Sequence, residues 1–223
     1  MKIKAAIFDM DGTLIDSLML WDILWDAFGQ RFLNGEVFKP DDEAEKAIRT
    51  MPVYEAMEYL HKRCGIGESG KQLYKIATDT FRNFYENEVQ LKKGVREFLD
   101  YCCENGVKMC LATANDNDLV EVVLKHCGIE KYFSKLFSCK ELGKGKESPD
   151  VFLKALDYLE TPIEKTWVIE DSYVALNTAV NAGFPTVGVY DKYSFNQEFL
   201  KEKSTIYIAE EDDMSSLIQK LSL

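Results

Sequence analysis

Residues 3–8 form a short apolar run whose near-continuous hydrophobicity predicts a strand covered on both faces, as in a parallel sheet. From residue 17 to about residue 89 the period becomes helical, with Leu18, Trp21, Trp25 and Phe28 recurring at spacings of three and four. Within that stretch, Pro52 suits a first helical turn, Val53, Met57 and Leu60 form a stripe, and Gly65 ends the helix. A third helix covers roughly residues 71–85, and no strand is predicted there.

After Leu91-Lys92-Lys93-Gly94, strand and helix patterns alternate. The spacing predicts helices over 95–104, 118–127, 150–160 and 174–181, with Gly106 and Gly183 after the first and last of them. Strands are expected over 107–112, 136–137, 167–169, 186–189 and 206–208, followed by a final helix. Strands alternating with helices of about ten residues indicate a doubly wound, mostly parallel Rossmann-like α/β sheet. The helical block is then an insertion: residues 1–16 and 91–223 form the α/β core, and residues 17–90 the helical domain.

In open α/β sheets ligands bind beyond the carboxyl ends of the strands. The polar residues at those ends are Asp9 and Asp11, Thr113, and Glu170 with Asp171. Composition sharpens the problem, because 38 acidic against 27 basic residues give a net charge of −11. That balance argues against nucleic acid as a partner, since such binding needs basic surface to neutralise phosphates. Apolar residues make up 46% and charged residues 29%, as in a folded protein rather than a disordered one. No export signal or membrane span is predicted, and six cysteines without a C-x-x-C pair fit reduced thiols in the cytoplasm.

Two acids two residues apart at a strand end can aim into one crevice, and a third from another strand makes the group anionic enough to demand a cation. Oxygen-only ligands beside a substrate phosphate suit Mg²⁺; zinc fits less well, as no histidine or cysteine lies in these motifs. A carboxylate can then attack phosphorus to give an aspartyl phosphate, while a second carboxyl protonates the departing oxygen and later deprotonates water or an alcohol. The Thr113 hydroxyl and the backbone N–H groups after it, at Ala114 and Asn115, suit phosphate oxygens. Lys146, before a helix start at Ser148-Pro149, would supply a mobile positive charge, with Lys144 as its rival. Gly12 and Arg49 complete the candidate substrate contacts.

Each feature also has a plainer reading. Asp9-Met10-Asp11-Gly12 as a calcium loop fails, because the loop positions reserved for Gly and Glu hold Leu14 and Leu20. Thr113 alone is more often a helix cap, Lys146 alone a solvated surface lysine, and Glu170-Asp171 alone a cap on the following helix. Trp21 and Trp25 fit a helical core better than a ligand cage, and His61 and His126 are expected to be structural or surface residues.

Taken together, DMDGTLIDS, the Thr of LATAN, the Lys of GKESPD and the acids of VIEDS occur in order along essentially the whole chain. This set resembles the haloacid dehalogenase superfamily, in its subgroup of small phosphatases and β-phosphoglucomutase-like proteins with a helical cap. The resemblance implies Asp9 as nucleophile, Asp11 as general acid and base, and Thr113 and Lys146 as phosphate binders. It further implies a magnesium ion on Asp9, Glu170, Asp171 and the Asp11 backbone carbonyl. True dehalogenases lack an aspartate at the position of Asp11, so the expected reaction is phosphoryl transfer. Mutases of this type usually carry a histidine where Trp21 stands, which favours water as the acceptor. The expected activity is therefore hydrolysis of a small phosphorylated metabolite, a sugar phosphate or similar, by a monomer or small homo-oligomer. The alternatives are a phosphosugar mutase and a non-catalytic phosphometabolite-binding protein.

Overall fold

In the computed structural model, which describes residues 3–49 and 51–221, strand β1 (Ala5–Phe8) divides its side chains between two apolar layers. Ala5 and Ile7 enter one and Ala6 and Phe8 the other, the alternation that buries a strand on both faces. Strands β4 (Lys108–Thr113) and β6 (Thr166–Glu170) flank β1, each in parallel. They repeat its division: Cys110, Ala112 and Val168 join Ile7, whereas Met109, Leu111, Trp167 and Ile169 join Phe8. Strands β5 (Leu136–Ser138), β7 (Thr186–Val189) and β8 (Ile206–Ile208) extend the sheet to the order β5-β4-β1-β6-β7-β8, with every pairing parallel.

Helices cover both faces, as a doubly wound sheet requires. The Ile7 layer is closed by Phe152, Ala155 and Leu159 of α8 (Asp150–Leu159) and by Ala175 and Ala179 of α9 (Tyr173–Asn181). The Phe8 layer is closed by Phe98 and Leu99 of α5 (Val95–Glu104) and by Val120 and Val123 of α6 (Asn117–Cys127).

Between β1 and β4 the chain forms a separate helical body. Strand β2 (Ile15–Asp16) leads in and β3 (Gln90–Leu91) leads out, and the two pair antiparallel. Helices α1 (Leu20–Phe32), α2 (Asp42–Ile48), α3 (Val53–Cys64) and α4 (Gly70–Asn87) lie between them. Trp25, Phe28 and Phe38 meet with ring centroids 5.8 to 6.0 Å apart, and Met57, Leu60, Leu73 and Ala77 belong to the same core. Gly65 ends α3 at φ 67°, a backbone that glycine adopts without strain.

The periodic pattern does not reveal β2, β3, α2, α7 (Cys139–Leu142) or α10 (Gln197–Lys203), none longer than seven residues. Such pieces are too short for a repeat to show. The final helix is a four-residue turn, α11 (Leu217–Lys220), after a 3₁₀ turn. Among the described residues no helix is long and apolar enough to cross a membrane. All six cysteines are free, with Cys102, Cys110, Cys127 and Cys139 buried and Cys64 and Cys103 exposed.

Candidate active site

The site forms where β1, β4 and β6 end together. Past Phe8 the chain stays on the sheet, with the Asp9 N–H donating to the Ile169 carbonyl at 3.0 Å. It then turns sharply at Gly12, whose φ is 79° and whose N–H donates to the Ile15 carbonyl at 3.1 Å. A Cβ at Gly12 would stand 2.6 Å from Asp171 Oδ2, so the turn is closed to any larger residue. Thr13 Oγ1 donates to Asp171 Oδ1 at 3.0 Å, and Ser194 Oγ donates to Asp171 Oδ2. The turn after β1 therefore orients an acid from the end of β6. One carboxylate oxygen each from Asp9, Glu170 and Asp171 lies within 4.8 Å of the others, and all three residues are buried.

Lys146 balances this group. It comes from the loop between α7 and α8, is buried, and donates through Nζ to Asp9 Oδ1 and to Glu170 Oε1, the latter at 2.5 Å. The expectation of a mobile lysine is corrected: burial and two charged partners fix it. Its rival Lys144 pairs instead with exposed Asp150 at 3.1 Å. Burial disfavours the Lys146 ammonium, but the charges of Asp9 and Glu170 outweigh it and hold the group protonated above the ordinary lysine value. One cation cannot satisfy three acids. Burial pushes the Glu170 and Asp171 carboxyls up; Asp9 adds to both, and Glu170 adds to Asp171.

Asp11 stands apart from that trio. Its carboxylate accepts from Ser17 Oγ at 2.8 Å, Tyr85 Oη at 2.6 Å and Asn115 Nδ2 at 3.2 Å. Asn115 Nδ2 also donates to Tyr85 Oη at 2.9 Å. Burial, then the charge of Asp9, raises the Asp11 carboxyl above its ordinary value, against the three hydrogen bonds. The Asp11 side chain is thus engaged elsewhere, and the metal contact expected of Asp11 is the one through its backbone carbonyl, whereas the carboxylates of Asp9, Glu170 and Asp171 are brought together.

Thr113 ends β4, and its Oγ1 accepts from the Asn115 N–H at 3.0 Å. The residue at the α6 N-cap is Asp116, so the capping reading of Thr113 does not hold. Ala114 is exposed, Asn115 is buried, and both line the same cavity as Asp9 and Lys146. Asp116 accepts from Tyr74 Oη of α4 at 2.6 Å, which ties the inserted helices to the carboxyl end of the sheet.

That cavity, of about 190 Å³, also reaches Arg49 and Trp21 on the inserted helices. Arg49, at the end of α2, has 10% of its side chain exposed and donates through Nη2 to Glu45 at 2.7 Å. Its Nε and Nη1 are buried without a hydrogen-bond partner among the described residues. Trp25 lies in the helical core as the periodicity predicts; Trp21 is half-buried, packs against that core and also lines the cavity. His126 is exposed, and His61 pairs through Nδ1 with the Ile66 carbonyl at 2.8 Å.

Sequence reasoning missed Tyr85, Ser17, Thr13 and Ser194. Ser17 and Thr13 flank the first acidic motif, a signal that was available; Tyr85 and Ser194 meet their acids only through the fold. The three clustered carboxylates form a hard, oxygen-only donor set crowded around one ammonium, a fit for a divalent cation of the Mg²⁺ type.

A family model described as haloacid dehalogenase-like hydrolase matches residues 6–189. A phosphorylated carbohydrates phosphatase of Thermotoga maritima is 26% identical over 220 residues, spanning 98% of this chain and 100% of that protein. Glycerol-1-phosphate phosphohydrolase 2 of Saccharomyces cerevisiae is 25% identical over 212 residues, or 91% of this chain and 80% of that protein. In fold, the chain matches the crystal structure of CbbY from Rhodobacter sphaeroides in complex with phosphate. The TM-score is 0.79 at 22% identity, covering 92% of this chain and 93% of that one.

Proposed function

The chain belongs to the haloacid dehalogenase-like hydrolases, and from that premise we propose that it is a Mg²⁺-dependent phosphatase acting on a small phosphorylated metabolite through an aspartyl phosphate on Asp9. The observation that carries this reading is the division of labour between two acids two residues apart. Asp9 belongs to the acidic trio and shares Lys146 with Glu170, whereas Asp11 is hydrogen-bonded to Ser17, Tyr85 and Asn115. A nucleophile and a proton carrier need such different surroundings.

Asp9, Glu170 and Asp171 would hold the magnesium ion, with the Asp11 backbone carbonyl; when bound, it offsets the acids' charge and polarises the phosphoryl group. The Thr113 hydroxyl oxygen already accepts a hydrogen bond, so its proton is available to a phosphate oxygen. Lys146 and the backbone N–H of Ala114 supply further donors around that phosphate, while the N–H groups of Gly12 and Asn115 are engaged by the Ile15 carbonyl and Thr113 Oγ1.

In the first step a carboxylate oxygen of Asp9 forms a bond to phosphorus as the ester P–O bond breaks, and Asp11 gives its proton to the departing oxygen. In the second, Asp11 takes a proton from water as the water oxygen attacks phosphorus, which releases phosphate and restores Asp9. The rise of the Asp11 carboxyl above its ordinary value favours the protonated form that the first step consumes.

Residues 17–90 act in this reading as a cap over the site and contribute Arg49 to the substrate contacts. Trp21 stands where mutases of this type carry a histidine, which supports water as the acceptor. Two exposed, unpaired thiols, Cys64 and Cys103, support placement in the cytoplasm.

The test is phosphate release from a broad panel of phosphate monoesters with and without Mg²⁺. Release that depends on Mg²⁺ and is abolished in Asp9→Asn supports the reading. Release from none of them, or full activity in Asp9→Asn, overturns it.

A further inference from the structure

The cavity runs from the acidic groups around Asp9 and Lys146 to a mainly apolar and aromatic lining. From the inserted segment the cavity is lined by Leu18, Trp21, Met51, Val53 and Phe81, and from the core by Phe195, with Tyr173, Tyr193 and Glu147 as polar members of the lining. The six apolar side chains among them offer one hydrogen-bonding group, the Trp21 indole N–H. A polyhydroxylated chain buried against them would leave its hydroxyls without partners, a penalty that falls on each one.

An aromatic wall is also held ready. Trp21 meets Phe81 edge to face, with centroids 5.8 Å apart at 76°, and Trp25 at 5.5 Å. Trp25 is buried among Phe28 and Phe38, so the indole of Trp21 is braced from behind. The Arg49 guanidinium lies 5.8 Å from the Trp21 ring and 5.5 Å from the Phe195 ring. Its Nε and Nη1, without a hydrogen-bond partner among the described residues, form a cationic donor beside these flat apolar faces.

Resting on the phosphatase reading above, we infer that the accepted ester carries a planar heteroaromatic ring, which stacks on Trp21 and presents an in-plane acceptor to Arg49. Trp21 then sets specificity through the leaving group, and the chemistry at Asp9 is unchanged by it.

The experiment compares kcat/KM, with Mg²⁺, for uridine 5′-monophosphate and ribose 5-phosphate, a pair that differs by the base. Pyridoxal 5′-phosphate and glucose 6-phosphate form a second pair. The ring esters are expected to lead by about tenfold or more, chiefly through KM, as stacking on one aromatic side chain provides. Trp21→Leu keeps an apolar wall and removes the aromatic face, so it should erase most of that lead, while Trp21→Phe keeps most of it. Melting curves by circular dichroism establish that each variant is folded. Equal or better turnover of the sugar esters, or a ring preference unmoved in Trp21→Leu, overturns the inference and leaves the phosphatase standing. Phosphate release from none of the four esters, nor from the broader panel, overturns both.

Discussion

At Gly12 the backbone and the site are the same problem. Its φ of 79° is strained for any residue with a Cβ, and a Cβ there would press on Asp171 Oδ2 at 2.6 Å and on Leu18 Cδ1 at 2.9 Å. Gly12→Ala should therefore cost about 1–2 kcal/mol in urea unfolding from the backbone alone. It should also lower phosphate release, because Asp171 must shift; wild-type stability in the variant would refute the account. The acids around this turn were legible in the sequence because each ends a strand, and strand ends of an α/β sheet converge. What they touch was not. Tyr85 reaches Asp11 across 74 positions, and Ser194 reaches Asp171 across 23, so neither pairing leaves a local spacing to read. Lys146 was found by its motif but misjudged in character, since burial is a property of the folded neighbours and not of the lysine.

Among elements, the ten-residue helix α5 was predicted to its ends, because an apolar stripe and a following glycine mark a piece of that length. Helix α2 carried no such stripe, but it did carry a start signal: Asp41 at the cap and three acids in the first turn. Asp41 accepts from the Ala44 N–H at 2.9 Å and from Arg63 Nε and Nη2, both at 3.0 Å, which joins the start of α2 to the end of α3. The Arg63 bond, then the Ala44 bond, holds the Asp41 carboxyl below the usual carboxylate range. A depressed folded value means that the stabilisation is complete above the unfolded value of about 3.9 and is lost as pH falls through the lower, folded one. Asp41→Asn keeps a capping oxygen and removes the charge. The gap in urea midpoint between wild type and Asp41→Asn should hold steady from about pH 7 to 5 and close below about pH 4. It should also narrow in high salt, as an exposed ion pair does. A gap that persists unchanged in acid would show that the charge contributes nothing.

Over the whole molecule, two bodies joined at β2 and β3 enclose one acidic centre. Contacts cross between them at Tyr85 with Asp11, Tyr74 with Asp116, and Arg82 with Asp118, so the inserted helices are pinned against the carboxyl end of the sheet. The chain carries a net charge of −11, and its buried acids at Asp9, Glu170 and Asp171 have one buried ammonium among them. Folding gathers these carboxylates from positions far apart in sequence, and the unfolded chain disperses them. A divalent cation that needs all three therefore binds the folded state and stabilises it by linkage, about 2.7 kcal/mol at a hundredfold excess over its Kd. For a domain of this size that corresponds to a thermal midpoint raised by roughly 5–10 °C. Differential scanning calorimetry with millimolar Mg²⁺ should show that rise, and sodium chloride of matched ionic strength should not reproduce it. Asp171→Asn should abolish the Mg²⁺ response while the variant still melts cooperatively, because it removes one carboxylate charge from the trio. A response equal to wild type in Asp171→Asn would place the metal elsewhere, and with it the reason for gathering three acids at the ends of β1 and β6.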